Sequence, residues 1–150
     1  MALGWTTRRS LLLAAPYFGA MVMHGRAMAQ AKPTAGLITH VLDTTSGKPA
    51  AGVRVDFAAV EGDHYRLIKT VHTNADGRND EPLLTADTMA VGRYQLLFYI
   101  GDYFAKLGIA LPNPPFLDRV AIQFGISDAT QHYHVPLLAS PWSYTTYRGS

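Results

Sequence analysis

Residues 36–60 read GLITHVLDTTSGKPAAGVRVDFAAV, two apolar-polar alternating runs on either side of a break rich in Thr, Ser, Gly and Pro. A period of two is the pattern of a strand with one face buried, and the break supplies turn-forming residues. Gly36 to Asp43 therefore reads as a first strand, Thr44 to Pro49 as a turn, and Gly52 to Val60 as a second, Val-rich strand.

The same punctuation continues toward the carboxyl end. Glu61-Gly62-Asp63 closes a hairpin and Tyr65 to Thr73 is β-branched. Asn74-Ala75-Asp76-Gly77 offers left-handed backbone for a reversal, which places Arg78 at a strand mouth. Residues 82–90 fit no single pattern. Arg93 to Ile100 is a strongly apolar strand that runs into Gly101 to Gly108, where the period changes to that of a helix. Asp102 is positioned to cap this helix, Gly108 to end it, and the prolines at 112, 114 and 115 to stop its continuation. Phe116 to Ile126, Gln131 to Ala139 and Ser143 to Arg148 complete seven or eight strands. The expected fold is all-β, a two-sheet β-sandwich with one short helix, without internal repeats.

Toward the amino end the composition changes. The first thirty residues carry Arg8, Arg9 and Arg26 but no acid, an apolar run from Leu11 to Met23, and then Ala27-Met28-Ala29. A basic start, a short apolar middle and alternating small residues are the parts of an export signal. The expected organisation is a leader over residues 1–31, cleaved after Ala29 or Ala31, followed by one domain over 32–150. Thr7-Arg8-Arg9-Ser10-Leu11-Leu12 resembles a twin-arginine signal, and an ordinary secretory leader is the alternative. Either route ends in the periplasm or outside the cell.

With 48% of its 150 residues apolar, the chain can build one domain with a substantial core. It contains no cysteine, which excludes disulfides, thiolate metal sites and a cysteine nucleophile. Without the leader, ten Lys and Arg face eleven acids, so the domain itself is near neutral. No basic stripe interleaved with aromatics points to nucleic acid, and no later apolar run is long enough for a membrane span. A small soluble ligand is the expected partner.

Chemically competent groups stand in four separated places. His40 lies in the first strand, on one face with Ile38 and Leu42. A histidine in an apolar strand is more often a hydrogen-bonded core residue than a catalyst, and an arginine after a turn, as at Arg78, is most often solvated. His132-Tyr133-His134 aims both imidazoles at one side and leaves Tyr133 and Val135 for the other. Such a pair fits a zinc site completed by His40, metal-free acid-base chemistry by neutral imidazole, or a buried structural role. The fourth place is Tyr147-Arg148-Gly149-Ser150, dense chemistry where chain ends ordinarily fray.

Four blocks together resemble the 5-hydroxyisourate hydrolases of the transthyretin-like family. They are His40-Val41-Leu42-Asp43-Thr44 with Gly47-Lys48-Pro49-Ala50, Asp76-Gly77-Arg78, Gly92-Arg93-Tyr94 through Gly101-Asp102-Tyr103-Phe104, and Tyr-His-Val-Pro-Leu-Leu from Tyr133 with the closing Tyr147-Arg148-Gly149-Ser150. Transthyretin, the related hormone carrier, lacks that closing tetrapeptide, and the leader departs from the many intracellular members. The resemblance implies hydrolytic ring opening of 5-hydroxyisourate to 2-oxo-4-hydroxy-4-carboxy-5-ureidoimidazoline, metal-free and without a cofactor. It implies His40, Arg78, His134 and Ser150 as catalytic residues and His40, Arg78 and Tyr147 as substrate contacts, with no clear role for His132. It also implies a homotetramer with sites where dimers meet, the closing tetrapeptide being ordered by burial at that contact. Ser150 sits in no strand-turn-helix nucleophile elbow and reads as a hydrogen-bonding or relay group. The alternatives are a non-catalytic periplasmic carrier of transthyretin type, a zinc hydrolase built on the histidines, or a secreted structural sandwich.

Overall fold

The computed structural model describes residues 34–149. The expected leader, residues 1–31, and Ser150 lie outside the described residues.

Gly36–Asp43 forms β1, with the bounds its alternation predicts. Leu37, Thr39, Val41 and Asp43 turn into the core, while Ile38, His40 and Leu42 share the opposite, half-buried face. The predicted turn after β1 contains a two-residue strand, Lys48–Pro49 (β2), paired back on Asp43 and Leu42. Asp43 organises this reversal: its carboxylate accepts from the Thr45 and Ser46 hydroxyls and from the Thr45 amide. Burial alone would raise the Asp43 pKa, but these hydrogen bonds outweigh it and hold the carboxyl below the ordinary range.

Arg54–Glu61 (β3) and His64–His72 (β4) form the next hairpin around Gly62, whose φ of 63° is the left-handed value the Glu61-Gly62-Asp63 turn predicts. The stretch that fits no pattern holds a second short strand, Leu84–Thr85 (β5), paired with the start of β1. Gly92–Phe98 (β6) leads into the helix Ile100–Lys106 (α1). The remaining strands are Val120–Ile126 (β7), His132–Ala139 (β8) and Tyr144–Thr146 (β9). Nine strands and one helix are thus present among the described residues, two of the strands being the two-residue pieces that sequence periodicity cannot register.

Two expectations are corrected. Asp102 does not cap α1; the N-cap is Tyr99, without a side-chain cap bond, and Asp102 lies in the first turn. The helix start is instead seated by tertiary contact, the Gly101 amide donating to the Asp118 carbonyl at 2.8 Å. Phe116 to Arg119 is not strand, because those residues follow the proline segment outside the pairing range of β6; pairing begins at Val120 opposite Phe98. Gly108, with φ of 73°, follows α1 as expected.

One sheet runs β2-β1-β8-β9 with β5 attached to β1, and the other β4-β3-β6-β7. Between them pack Leu37, Val41, Val55, Phe57, Leu96, Phe98, Val120 and Leu137, each nearly or fully inaccessible to solvent. Full burial of such a side chain stabilises by about 1.5–3 kcal/mol, so this layer can offset the ordering of a chain without cross-links. The pairing that matters for function is β1 with β8: the two run parallel, with Ile38 opposite His134 and His40 opposite Pro136.

Candidate active site

The parallel register sets His40 and His134 on the same, core-distal face of one sheet. Their rings lie 6.3 Å apart, centroid to centroid, and within 19° of parallel. Both Nε2 atoms are buried without a hydrogen-bond partner among the described residues. Buried polar nitrogens are ordinarily satisfied, so two such atoms side by side mark a place built to meet something else.

Arg78 reaches the same place through the reversal that the sequence predicts at 74–77. The Asn74 side-chain oxygen accepts from the Asp76 amide at 3.0 Å and the Arg78 amide at 3.1 Å, and the Asn74 amide donates to the Arg78 carbonyl at 2.8 Å. Gly77 then lies flat against β1: its carbonyl accepts from the Val41 amide at 2.8 Å, and a Cβ on it would collide with the Val41 carbonyl oxygen. With φ at 71° as well, this position is restricted to glycine. The consequence is a bridge pairing His40 with Arg78.

Beneath the face, Thr39 joins the three segments. Its amide donates to the Asn79 side-chain oxygen at 2.9 Å, next to Arg78, and its fully buried hydroxyl donates to the Val135 carbonyl at 2.7 Å, next to His134. Pro136, opposite His40, has no amide proton to give the ladder. The Val135 and Pro136 carbonyls receive threonine hydroxyls instead, the second from Thr146 at 2.7 Å.

Electrostatically the site favours neutral imidazole. Burial first, then the positive charge of Arg78, lowers the His40 pKa from its ordinary 6.5, against a smaller opposing effect of a backbone hydrogen bond and the charge at Asp76. His134 is lowered by burial, then by Arg78, His40 and His132. The Asp76 backbone bond of His40 raises its pKa, as donation to a carbonyl does, and Nε2 is unpartnered. Nε2 is thus the ring atom left free of a protein partner among the described residues.

The closing segment also arrives here. β9 pairs antiparallel with β8, and beyond it the Gly149 amide donates to the His134 carbonyl at 2.8 Å. A Cβ on Gly149 would stand 2.6 Å from His134 Nδ1, so only glycine fits against the ring. The Tyr147 ring meets that of His134 edge-on at 6.4 Å. The segment through Gly149 is thus tied down by its own β8, whereas the resemblance implies ordering at a subunit contact; hydrogen bonds and close packing within the chain already supply part of that ordering.

The structure brings His40, Arg78, His134 and Tyr147 together, and Ser150 lies outside the described residues. His132 shares the face, but its Nδ1 turns toward the Thr34 carbonyl at 3.4 Å. Among the described residues no three His, Asp or Glu side chains converge to hold a metal ion, so the zinc trio of His40, His132 and His134 is not formed. The sequence reading places Asn74 in the reversal but misses Thr39 and Asn79. Asn74 stands before Asp76-Gly77 at the spacing of an Asx turn, and its side-chain oxygen accepts from both the Asp76 and Arg78 amides. The other two act across 40 and 96 residues, where no local signal exists.

Residues 37–149 match the HIUase/Transthyretin family. The chain belongs to that family. A relative described as 5-hydroxyisourate hydrolase 2, from Rhizobium meliloti (strain 1021), is 56% identical over 114 residues, which is 76% of this chain and 95% of the relative. The solved structure of Klebsiella pneumoniae 5-hydroxyisourate hydrolase superposes with a TM-score of 0.64 at 36% identity, covering 77% of this chain and all of that one. Sea bream transthyretin, solved in complex with thyroxine, gives 0.68 at 28% identity over 76% of this chain and 94% of its own. The family fold is thus a scaffold on which both a hydrolase and a thyroxine-bound protein are built, and the face around His40 and His134 must decide between them.

Proposed function

We propose that this HIUase/Transthyretin family member hydrolyses 5-hydroxyisourate, opening its six-membered ring to 2-oxo-4-hydroxy-4-carboxy-5-ureidoimidazoline. One observation carries the reading: two adjacent buried imidazole nitrogens without partners, held neutral beside an arginine. A carrier has no use for two proton-transfer groups kept desolvated, whereas hydrolysis of a cyclic amide needs both a base and an acid. The relatives at about half identity bear the name of this hydrolase.

Water is a weak nucleophile and must lose a proton as it adds to the ring carbonyl. His40 Nε2, buried and without a protein partner, accepts that proton. The carbonyl π electrons move to oxygen, and the guanidinium of Arg78 meets the developing oxyanion, a planar fork suited to the urate-like oxygens. The tetrahedral centre collapses, the carbon-nitrogen bond breaks, and the proton that His40 took from water passes by way of His134 to the departing nitrogen, which leaves both imidazoles neutral again. Each transfer contributes on the order of 100- to 10,000-fold. Tyr147 borders the substrate beside His134, and Ser150, bonded to Gly149, adds a hydroxyl for hydrogen bonding or relay. Catalysis through these side chains needs no cofactor.

Four chains assemble in this reading, with sites where dimers meet. Support comes from large aromatics left exposed by the single chain: Phe116 at 70% and Trp142 at 57%, with centroids 6.3 Å apart and rings tilted by 36°, and Tyr147 at 57%. The leader of residues 1–31 directs the domain of residues 32–150 to the periplasm or beyond, on the strength of Arg8, Arg9 and the apolar run after them. No helix among the described residues is long and apolar enough to cross a membrane.

The test is direct. Urate oxidase generates 5-hydroxyisourate in a cuvette, and the decay of its near-ultraviolet absorbance is followed with and without the protein. Acceleration that His40→Ala and His134→Ala abolish is expected; an unchanged decay in the presence of folded protein rejects hydrolysis and leaves the carrier. Loss on chelation with recovery on zinc addition favours the metal reading.

A further inference from the structure

Arg148 lies inside the closing tetrapeptide, yet its side chain is directed away from the imidazoles. In an extended segment successive side chains alternate between faces. Tyr147 meets His134 on the face of the site, so Arg148 falls on the other. There its guanidinium stacks over the Tyr133 ring, 4.8 Å from the centroid, and donates from Nη2 to Gln131 Oε1 at 2.6 Å.

Both anchors are themselves fixed. Tyr133 is 3% exposed, and its hydroxyl oxygen accepts from the Ser127 and Asp128 amides at 3.2 and 3.1 Å. Gln131 donates from Nε2 to the Asp128 carboxylate at 3.0 Å. One residue further on, Gly149 is pressed against the His134 ring and bonded to its carbonyl. A continuous path of contacts therefore runs from the loop between β7 and β8, through Tyr133 and Gln131, to Arg148 and so to Gly149.

We propose that Arg148 is a positioning residue, a latch that clamps the closing segment onto Tyr133 and Gln131 and acts on the reaction only through Gly149, which lies against His134, and the Ser150 that follows it in sequence. The inference rests on the hydrolase reading of that site. It separates the two charged members of the site region by role: Arg78 faces the substrate, and Arg148 spends its planar face and its fork on the protein. Lysine at 148 would keep the charge but lose the stacked plane and the directed donor.

Three measurements on the full chain test the latch. Hydrogen exchange at the Gly149 amide, which is bonded to His134, should accelerate about tenfold or more in Arg148→Met, and in the same direction in Gln131→Ala, a substitution at an exposed side chain outside the core. The kcat/KM of Arg148→Met should fall on the order of 10- to 100-fold, as for a displaced group near a reacting centre, with Arg148→Lys recovering only part. In a chain lacking Gly149 and Ser150, Arg148→Met should produce no further loss, since its effect has no other route. A fall in activity that adds fully to the deletion, or one that leaves Gly149 exchange at the wild-type rate, overturns the latch and makes Arg148 a substrate contact. If deletion of Gly149 and Ser150 is itself kinetically silent, the catalytic reading of Ser150 fails, while unchanged Gly149 exchange would be the separate failure of the latch.

Discussion

His40 and His134 are tuned by what surrounds them more than by any bond they make. Burial disfavours the imidazolium, and Arg78 adds repulsion to both rings. The folded state therefore binds protons less readily at these positions than the unfolded chain, so their contribution to stability is complete above pH 6.5 and is lost as pH falls toward the lowered values. The same shift keeps the base available below pH 6.5, and the acid limb of kcat/KM should lie beneath that ordinary value. Arg78→Gln removes the repulsion: both histidines should titrate at higher pH by NMR, and kcat/KM should fall by 100-fold or more as the oxyanion loses its partner. Unmoved titration curves would mean that Arg78 does not face the rings. Gly77 is the backbone counterpart of this electrostatics. Gly77→Ala combines a positive φ with a clash against Val41 and should destabilise by about 1–3 kcal/mol or more in denaturant unfolding, while weakening activity through Arg78.

At the scale of elements, the site depends on how a turn and two strands are tied side by side. Thr39 is the knot, reaching Asn79 with its amide and Val135 with its hydroxyl. Thr39→Val keeps the volume but leaves the Val135 carbonyl without that donor, at an expected cost of about 1–3 kcal/mol by denaturant midpoint. Thr39→Ser should recover most of the lost stability, which a simple packing role would not allow. The elements themselves were legible where local pattern matched tertiary need. β1 carries clean alternation and has the predicted bounds, and the reversal at 74–77 follows from Asn, Asp and Gly in sequence. Legibility fails where a neighbour from elsewhere in the chain takes over. Asp102 looks like a cap, but the Asp118 carbonyl seats the start of α1; β2 and β5 exist because β1 offers an edge to pair with. Two residues cannot display a period.

At the scale of the whole described domain, the decisive event is the parallel pairing of β1 with β8, strands separated by nearly the length of the fold. It places Ile38 opposite His134 and so sets two histidines from distant segments on one face. The aromatic pair Phe116 and Trp142 lies exposed on the single chain and belongs, in the proposed assembly, to a contact between chains. Phe116→Glu should lower the mass measured by light scattering while leaving the far-ultraviolet circular dichroism unchanged; an unaltered mass would remove this patch from the assembly.

The sequence alone determined the all-β class, the separate character of residues 1–31, and the candidate groups His40, Arg78, His134, Tyr147 and Ser150, because alternation, turn chemistry and a family signature are written in neighbouring residues. Only the tertiary structure decided that four of these meet, that the Nε2 atoms of His40 and His134 are buried without a partner, and that Thr39 and Asn79 tie their segments together. Strand register is a contest among long-range pairings, settled by burial and hydrogen bonding across the whole sheet, and no short stretch of chain contains its outcome.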